Sequence, residues 1–554
     1  MGYVGFVCIK VSSIGPGNQK VVSQHRGDNS PIFLSSRLFP FLSVCIFNGI
    51  DFFSNAAVFI DVEILMPMFK YFLSTLLICM FLELTAQEPE FSYIPAGVNF
   101  DEPLLEWDGF GFNYVETAQT RDYDEYPQDY GGFSLLDEKQ RHEILELVFG
   151  NEGLQVQIVK MFLDPFHQQN SGSAFDHEKT TANMRYFVGN GNKLTQERGD
   201  ELEILTTLYG PPDWATQQDS IGGRDLDTTQ INALCNYMID WIKYLRSNDY
   251  PVRYLSLHNE GEDFYRWDFT EGFQRLKKFD YNMYWPPAQV NHFLRILPGK
   301  LNEKGLKGVA LTNGEPSNWT RFYHWGYSEA LINDQVAFSN LDLLTTHGFI
   351  EGDFTKLSYG LADGNTTEMY RMHKPNLHSW ITSYSWGKMG TDFIKTAHEH
   401  IYTAKVNALI PWAGIQDPSA WLDGDPNPGS AIRVTSGTYE ILPGYYFYKQ
   451  LTTAGHRGMA VAKTHLANPV AFIIAFSKNG TVYPDAFVVT SNISIWSLPI
   501  DISIRGTEST RFRAFRSSED GNEKYKDIGV YEVTDGSIIY DPPAGTTTTF
   551  IAMD

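Results

Sequence analysis

The chain has 554 residues, of which 43% are hydrophobic and 14% aromatic, and its formal net charge is −23. This composition is typical of a globular protein with one large domain and one smaller domain. An acidic surface of this kind repels nucleic acid and anionic membranes over long range, and neither is expected as a partner. The same charge disfavours a highly sulfated or uronate-rich substrate.

The first predicted element is a secretory signal peptide at residues 66–86, with cleavage before Gln87. The segment MFKYFLSTLLICMFLELTAQ combines a start Met, a basic residue, an apolar stretch and a small residue before the cleavage site. Its apolar stretch is too short to span a bilayer, although an internal membrane anchor is the alternative. Residues 1–65 show no sustained period and are expected not to belong to the mature protein. The signal peptide therefore predicts a secreted, extracellular protein.

Cysteine usage predicts no disulfide framework. Three of the four cysteines precede Gln87, and Cys235 lies in the amphipathic helix pattern INALCNYMIDWIKYL, where a core position is expected. Four N-x-S/T sequons fit a secreted glycoprotein; they begin at Asn318, Asn365, Asn479 and Asn492.

Residues 106–434 alternate short apolar runs with helical patterns such as EKQRHEILELVFG. Eight runs resemble buried strands: 109–115, 154–163, 202–210, 252–260, 307–315, 341–349, 377–385 and 406–414. Eight strands separated by helices predict an α/β fold, a (β/α)8 barrel. A doubly wound open sheet is the alternative, but no Gly-rich phosphate loop follows any run.

The flanking segments are rich in strand patterns. Residues 435–554 alternate apolar runs with Gly, Pro and Asn turns and show no helical period, which predicts an antiparallel β-sandwich domain. Residues 87–105 are predicted to form strands that join this sandwich.

The candidate site lies at the carboxyl ends of the barrel strands, where barrel enzymes carry their active sites. These ends are polar and aromatic; they carry Trp214, His258, Asn259, Glu260, Glu262, Glu315, His347, Ser383, Tyr384, Trp386 and Trp412. Glu260 after Asn259 suits a general acid, because a partly apolar rim keeps a carboxyl protonated near neutral pH and the Asn can bind a sugar hydroxyl. The alternative is a helix-capping pair at a strand–helix junction.

Several stretches together resemble glycoside hydrolase family 30, which includes glucosylceramidases, endo-xylanases, endo-β-1,6-glucanases and galactanases. They are WDGFGFNYVETA, ILTTLYGPPDWATQ, YLSLHNEGE and LPGYYFYKQLTTAGHRGMAVA. The likeness implies a barrel with a side sandwich, hydrolysis of a β-linked polysaccharide or glycoconjugate, and Glu260 as acid/base. In the same comparison, His347 corresponds to a His that the family often carries on its sixth strand.

The sequence departs from this family at the nucleophile. The family carries a Glu there, in a segment of the form Trp-x-Thr/Ser-Glu-Tyr/Trp, whereas this chain reads WITSY with Ser383 at that position. A shorter side chain leaves room for a water, as in inverting glycosidases. That water would need a base, for which Glu315 is the first candidate, followed by Glu262, Glu351 and Asp417. A neighbouring strand end supplying the nucleophile is a weaker possibility.

Two further functions remain open. The barrel could be an inactive carbohydrate-binding protein, which would hold a glycan by ring stacking and by hydrogen bonds. Its candidate contacts are Trp214, Trp325, Trp386, Trp412, His258, Asn259, His347 and Tyr384. A carbohydrate esterase using Ser383 and His347 is a remote alternative, because no Gly-x-Ser-x-Gly motif surrounds the serine. No metal or cofactor is expected, and the protein is expected to be a monomer.

Overall fold

The computed structural model describes residues 93–116, 131–262, 281–349, 366–384, 389–417, 431–466, 471–491 and 499–553. The predictions for residues 1–65, for the signal peptide at 66–86, and for Glu351 and Trp386 lie outside these ranges. Within them, every helix is too short or too polar to cross a membrane.

The eight predicted runs form eight parallel strands, so the predicted barrel is confirmed. They are β2 (Gly109–Asn113), β3 (Ile158–Leu163), β4 (Glu203–Leu208), β5 (Val252–Ser256), β6 (Ala310–Leu311), β7 (Leu343–Thr346), β8 (His378–Tyr384) and β9 (Ala408–Pro411). Their order is β6-β5-β4-β3-β2-β9-β8-β7. A parallel bridge between Thr312 and Leu343 joins the two outer strands and closes the barrel.

Helices cover the outside of the barrel and follow its strands. The described α-helices are Glu138–Phe149, Ala182–Glu197, Ile231–Ser247, Pro287–Glu303, Trp319–His324, Tyr327–Ile332, Gln335–Ser339, Thr366–Arg371, Thr391–His398 and Pro443–Thr452. Asp137 caps the first of them, because its side chain accepts the Gln140 N–H and the Gln140 side chain accepts the Asp137 N–H in return. Cys235 is fully buried on the helix Ile231–Ser247.

Side chains along each barrel strand alternate between the interior and the helices. In β2, Phe110 and Phe112 pack against helix side chains outside the barrel, so Gly111 faces inward. A Cβ on Gly111 would lie 2.7 Å from Cγ1 of Ile410 and 3.2 Å from Cβ of Ile158, which leaves no room for a side chain. The barrel interior around Gly111 is apolar and contains Ile158, Leu205, Leu343, Trp380, Ala408 and Ile410.

A β-rich domain packs beside the barrel. Its nine described strands are β1 (Ile94–Glu106), β13 (Ala460–Leu466), β14 (Ala471–Ser477), β15 (Ala486–Ser491), β16 (Ile500–Arg505), β17 (Arg511–Ser518), β18 (Lys526–Glu532), β19 (Ser537–Tyr540) and β20 (Thr546–Ala552). Strand β1, which precedes the barrel, pairs antiparallel with β13 and parallel with β16. The domain is therefore a mixed sheet, whereas the sequence predicts a purely antiparallel one, because a strand from before the barrel enters alongside β16.

Between the two domains in sequence lie three short strands, β10 (Ile415–Gln416), β11 (Ile432–Thr435) and β12 (Thr438–Ile441), which form their own sheet. Trp107 joins the barrel to the β-rich domain. Its ring lies 4.8 Å from that of Phe110 and 5.2 Å from that of Phe476, and it is fully buried. Burying an aromatic side chain of this size contributes about 3 kcal/mol.

Candidate active site

Glu260 follows β5 at the carboxyl end of the barrel. Strands β5 and β6 stay paired beyond their ends, because the Glu260 N–H donates to the Glu315 carbonyl (2.8 Å) and the Glu315 N–H donates to the His258 carbonyl (2.9 Å). Glu260 has a φ of 41°, in the left-handed region that non-glycine residues enter at a cost. The pairing therefore holds the Glu260 backbone in one unusual conformation at the mouth of the barrel.

The Glu260 carboxylate contacts His347, which follows β7. Oε1 of Glu260 lies 2.9 Å from Nδ1 of His347. Burial, the largest influence, and Lys160 lower the pKa of His347, but hydrogen bonds to Glu260 and Glu315 outweigh both and raise that pKa above its usual value. A protonated His347 donates its Nδ1–H to Glu260, so the two side chains share a proton at the candidate site.

Glu315 lies deeper, in the barrel interior, and is fully buried. Its Oε2 lies 2.5 Å from Nζ of Lys160 and accepts a hydrogen bond of 2.5 Å from the Thr382 hydroxyl. Its Oε1 accepts from the hydroxyl of Thr207. Burial alone raises the pKa of Glu315, but Lys160, His347 and these hydrogen bonds outweigh it and hold the pKa well below its usual range. Glu315 is therefore an ionised carboxylate.

The geometry disfavours Glu315 as the catalytic base. A base works best with a pKa near the operating pH, whereas the pKa of Glu315 is lowered and both its oxygens already accept hydrogen bonds. Thr382, which Glu315 contacts across the barrel, is the residue immediately before Ser383.

Ser383 lies in a bulge of β8. Ile381 pairs with Leu409 but Tyr384 pairs with Pro411, so β8 carries one more residue than β9 at this point. Ser383 is fully buried, and its hydroxyl has no hydrogen-bond partner among the described residues. The Ser383–His347 hydrogen bond that an esterase requires is therefore absent from the described site, and the esterase hypothesis is not supported.

Tyr384 does not face the candidate site, which corrects its assignment as a substrate contact. Its hydroxyl donates to the Phe393 carbonyl (2.6 Å), and its ring stacks on that of Phe393 at 4.9 Å. Phe393 belongs to the helix Thr391–His398 outside the barrel. The bulge before Tyr384 turns the side chain outward, an effect that strict alternation along the strand does not predict.

His258 lies beneath the Glu260 loop, at 1% exposure. Its Nδ1 accepts the Gly261 N–H (3.2 Å), and its ring stacks on Trp285 at 5.6 Å. Burial lowers the pKa of His258 to about 3, so the ring is neutral. These contacts give His258 a positioning role, in place of the substrate contact expected from the sequence.

Asn259 retains the capacity for a sugar hydroxyl. Its Nδ2 donates to Oδ1 of Asn282 (3.1 Å), while its Oδ1 has no partner among the described residues although Asn259 is only 5% exposed. A ligand hydroxyl could donate a hydrogen bond to this unpaired oxygen.

Trp412 and Trp214 lie beyond the carboxyl ends of two barrel strands, β9 and β4, which β3 and β2 separate. Trp412 follows β9 and packs edge-on against Phe162 at 6.3 Å. Trp214 follows β4, is partly buried, and donates from Nε1 to the Gln168 carbonyl (3.4 Å). Their roles in carbohydrate stacking remain predictions. Trp325 is 46% exposed and lies against Arg321, whose Cζ is 4.9 Å from the ring.

The two other described carboxylates proposed as bases differ in their surroundings. Glu262 accepts the Ser317 N–H (3.0 Å) and pairs with Arg321 (3.3 Å), contacts that tie the loops after β5 and β6 together. Asp417 is buried just after β10. Within the described ranges, no group of three or more His, Cys, Asp or Glu side chains is arranged to hold a metal ion.

Sequence reasoning missed Lys160 and Asn113. Lys160 interrupts the apolar run IVKMFL of β3, and a lysine at an inward position of a barrel strand predicts a buried carboxylate partner. That signal was present in the sequence. Asn113, the last residue of β2, carries no such signal, because an Asn at a strand end equally fits a turn.

The fold is similar to that of solved structures of low sequence identity. No family profile and no curated protein matches the chain. A family 30 endoxylanase from Clostridium papyrosolvens C71 has a TM-score of 0.60 at 16% identity, over 83% of this chain and 100% of that one. The catalytic domain of family 30 xylanase C from Talaromyces cellulolyticus has 0.60 at 14%, over 83% and 100%. The endo-β1,6-glucanase BT3312 has 0.57 at 15%, over 83% and 94%. The chain therefore has the fold of family 30 glycoside hydrolases.

We expect Lys160→Met to lower the free energy of unfolding by about 3–5 kcal/mol, because it leaves the Glu315 carboxylate buried without its cation. Urea denaturation at pH 7 measures this. The double variant Lys160→Met/Glu315→Gln should recover much of the loss. A single variant as stable as the wild type would show that the ion pair does not constrain the barrel.

His347 gives a pH-dependent prediction. Its pKa is raised in the folded protein, so its protonation stabilises the fold below its unfolded pKa of about 6.5, and that contribution disappears as pH rises through the folded value. The stability lost in His347→Gln should therefore be larger at pH 5.5 than at pH 9. Urea denaturation of both proteins across this range measures it, with Glu197→Gln, a change on the helix Ala182–Glu197, as control. A pH-independent difference would contradict the raised pKa.

Proposed function

We propose that the chain is a glycoside hydrolase that acts on a β-linked polysaccharide or glycoconjugate, with Glu260 as its general acid. The observation that carries the proposal is the Glu260–His347 hydrogen bond of 2.9 Å at the carboxyl end of a barrel with the family 30 fold. The three neighbours described above are glycanases that act on xylan or on β-1,6-glucan, which supports the same substrate class here.

Glu260 supplies the first half of the reaction. It gives its proton to the glycosidic oxygen as the bond from that oxygen to the anomeric carbon breaks, and the leaving sugar departs neutral. That proton is the one that Glu260 shares with His347, whose pKa is raised, across the bond at Nδ1, so His347 is left neutral and regains a proton from solvent. The positive charge that develops on the sugar ring lies in a site whose interior holds the ionised Glu315.

Water completes the reaction on the opposite face. Ser383 lacks the carboxylate that forms the glycosyl-enzyme bond of a retaining enzyme, and the proposed nucleophile is a water bound at its unpaired hydroxyl. The water oxygen bonds to the anomeric carbon, and its surplus proton passes to solvent. In inverting enzymes a carboxylate takes that proton on its way to solvent, and Glu262, Glu351 and Asp417 are the candidates other than Glu315. This route inverts the anomeric configuration.

A carbohydrate-binding protein without activity is the second candidate. The observation that favours it is Ser383 itself, because a hydroxyl cannot replace the missing carboxylate at that position. In such a protein Glu260, Asn259 and the rim tryptophans would hold the same glycan without cleaving it.

We further propose that the protein is secreted as a monomer after removal of residues 66–86. The apolar segment with its small-residue cleavage site supports secretion. Two sequons lie within the described ranges, and they differ in access. Asn479 is exposed, whereas Asn318 is 2% exposed and caps the helix Trp319–His324, so only the first suits glycosylation in the folded protein.

We expect the purified protein to release reducing ends from at least one of β-1,6-glucan, xylan and β-galactan, and Glu260→Gln to lose at least about 100-fold of that rate, since a positioned acid contributes 10²–10⁴-fold. A reducing-sugar assay measures this. Glu197→Gln, which changes a carboxylate on an outer helix, is the matched control and should retain full activity.

The outcomes separate the two candidate functions. Binding of a glycan without release of reducing ends would support the carbohydrate-binding protein. Equal rates for the wild type and Glu260→Gln would exclude Glu260 as the acid.

A further inference from the structure

The last residue of β2 carries a buried amide without a partner. Asn113 is 0% exposed, and neither its Oδ1 nor its Nδ2 has a hydrogen-bond partner among the described residues. Buried polar side chains are almost always paired, and an unpaired one costs stability, so each such group requires an explanation. The mechanism above does not use Asn113.

The amide faces the barrel interior near the charged residues. Phe110 and Phe112 point outward and Gly111 points inward, so alternation along β2 directs Asn113 inward, one step closer to the mouth than Gly111. Asn113 is aligned with Lys160 on the neighbouring strand β3. It therefore stands in the layer of the interior that contains Lys160.

Lys160 does not satisfy the amide, because its ammonium is directed to Glu315 at 2.5 Å. A second inward amide, that of Asn313, has hydrogen-bond partners. Asn313 is equally buried, but its Nδ2 donates to the Thr345 carbonyl (3.0 Å) and its Oδ1 accepts the Thr345 N–H (2.7 Å). The Asn313 amide is therefore paired, whereas the donor and the acceptor of the Asn113 amide are both unpaired among the described residues.

Unpaired polar atoms lie on both sides of the barrel, among them those of Asn259 and Thr346 on the side of β5 and β7. The sheet order places β2 beside β9, and β9 beside β8, which carries Ser383. The Ser383 hydroxyl and the Gln416 Nε2, just beyond β9, also lack partners among the described residues and are buried. The charged side chains Lys160, Glu315, Glu260 and His347 come from β3 and from the ends of β5, β6 and β7. The site therefore has a charged side and an uncharged side.

We propose that Asn113, together with Ser383, forms a binding site for two adjacent hydroxyls of a neutral sugar residue. An amide presents an acceptor and donors side by side, which matches a vicinal diol that donates from one hydroxyl and accepts at the other. This deepens the proposed function and rests on it, because it assigns the chemical class of the sugar that occupies the cleft.

The charges of the described site select a neutral sugar. Lys160 and protonated His347 are the cations of the described site, and they already pair with Glu315 and Glu260. Glu260 and Glu315 are carboxylates, and a uronate carboxylate placed between them would meet like charges without a free cation. Asn113 and Ser383 add no charge that could change this balance.

Asn113→Leu tests the proposal in the full chain, in a Glu260→Gln background that prevents turnover. Isothermal titration calorimetry with xylotetraose and with a β-1,6-linked glucose tetraose measures affinity, and a glucuronate-substituted xylotetraose is the acidic probe. We expect at least a 10-fold weaker affinity for the neutral probe that binds, and an unchanged or higher Tm. In the chain that keeps Glu260, the acidic probe should bind more weakly than its neutral parent, measured as a higher Kd or, with turnover, a higher KM. The Tm expectation follows because Leu removes unpaired buried polar atoms while keeping nearly the same volume.

Asn313→Leu is the matched control, and it should lower Tm because it removes two formed hydrogen bonds. Asn113→Ala provides a second, smaller variant in case Leu does not fit. Unchanged affinity in both Asn113 variants, or a preference for the uronate probe, would overturn the inference while leaving the hydrolase proposal intact. If the wild type neither binds nor cleaves any probe, the proposed function itself fails.

Discussion

The buried ion pair between Lys160 and Glu315 is the interaction on which the candidate site depends. It joins β3 to the end of β6 through the barrel interior, and the same carboxylate accepts hydrogen bonds from Thr207 on β4 and Thr382 on β8. An ionised carboxylate is stable in such an interior only when cations and donors surround it. The fold therefore fixes a negative charge at the centre of the barrel, and His347, 3.5 Å from that charge, connects it to Glu260.

The eight barrel strands could be predicted from sequence because each is a short apolar run between helical patterns, and parallel strands buried on both faces produce that pattern. Glu260 and His347 could be placed at the same end of the barrel for the same reason, since the carboxyl ends of all eight strands meet there. The mixed sheet could not be predicted in the same way. The partner of β1 is a strand about 400 residues later, and strand patterns do not specify such distant pairings.

The errors at the site have local physical causes. Tyr384 turns outward because one extra residue in β8 breaks the alternation that the pattern assumes. Glu315 is an unsuitable base because Lys160 and His347 hold its pKa low, and Lys160 is 155 positions away in sequence. The assignment of Ser383 to the nucleophile position stays a prediction. The unpaired Ser383 hydroxyl and the unpaired Asn113 amide, on strands separated by β9, emerge only when burial and hydrogen bonding are known.

The central claim is that a barrel without a nucleophile on β8 cleaves its substrate by direct attack of water. The most direct test is the anomeric configuration of the first product, followed by proton NMR during the first minutes of hydrolysis of a β-linked oligosaccharide. The account predicts that the α-anomer appears first and then mutarotates. Initial appearance of the β-anomer would contradict it, because retention requires a covalent nucleophile that neither Ser383 nor the ion-paired Glu315 provides.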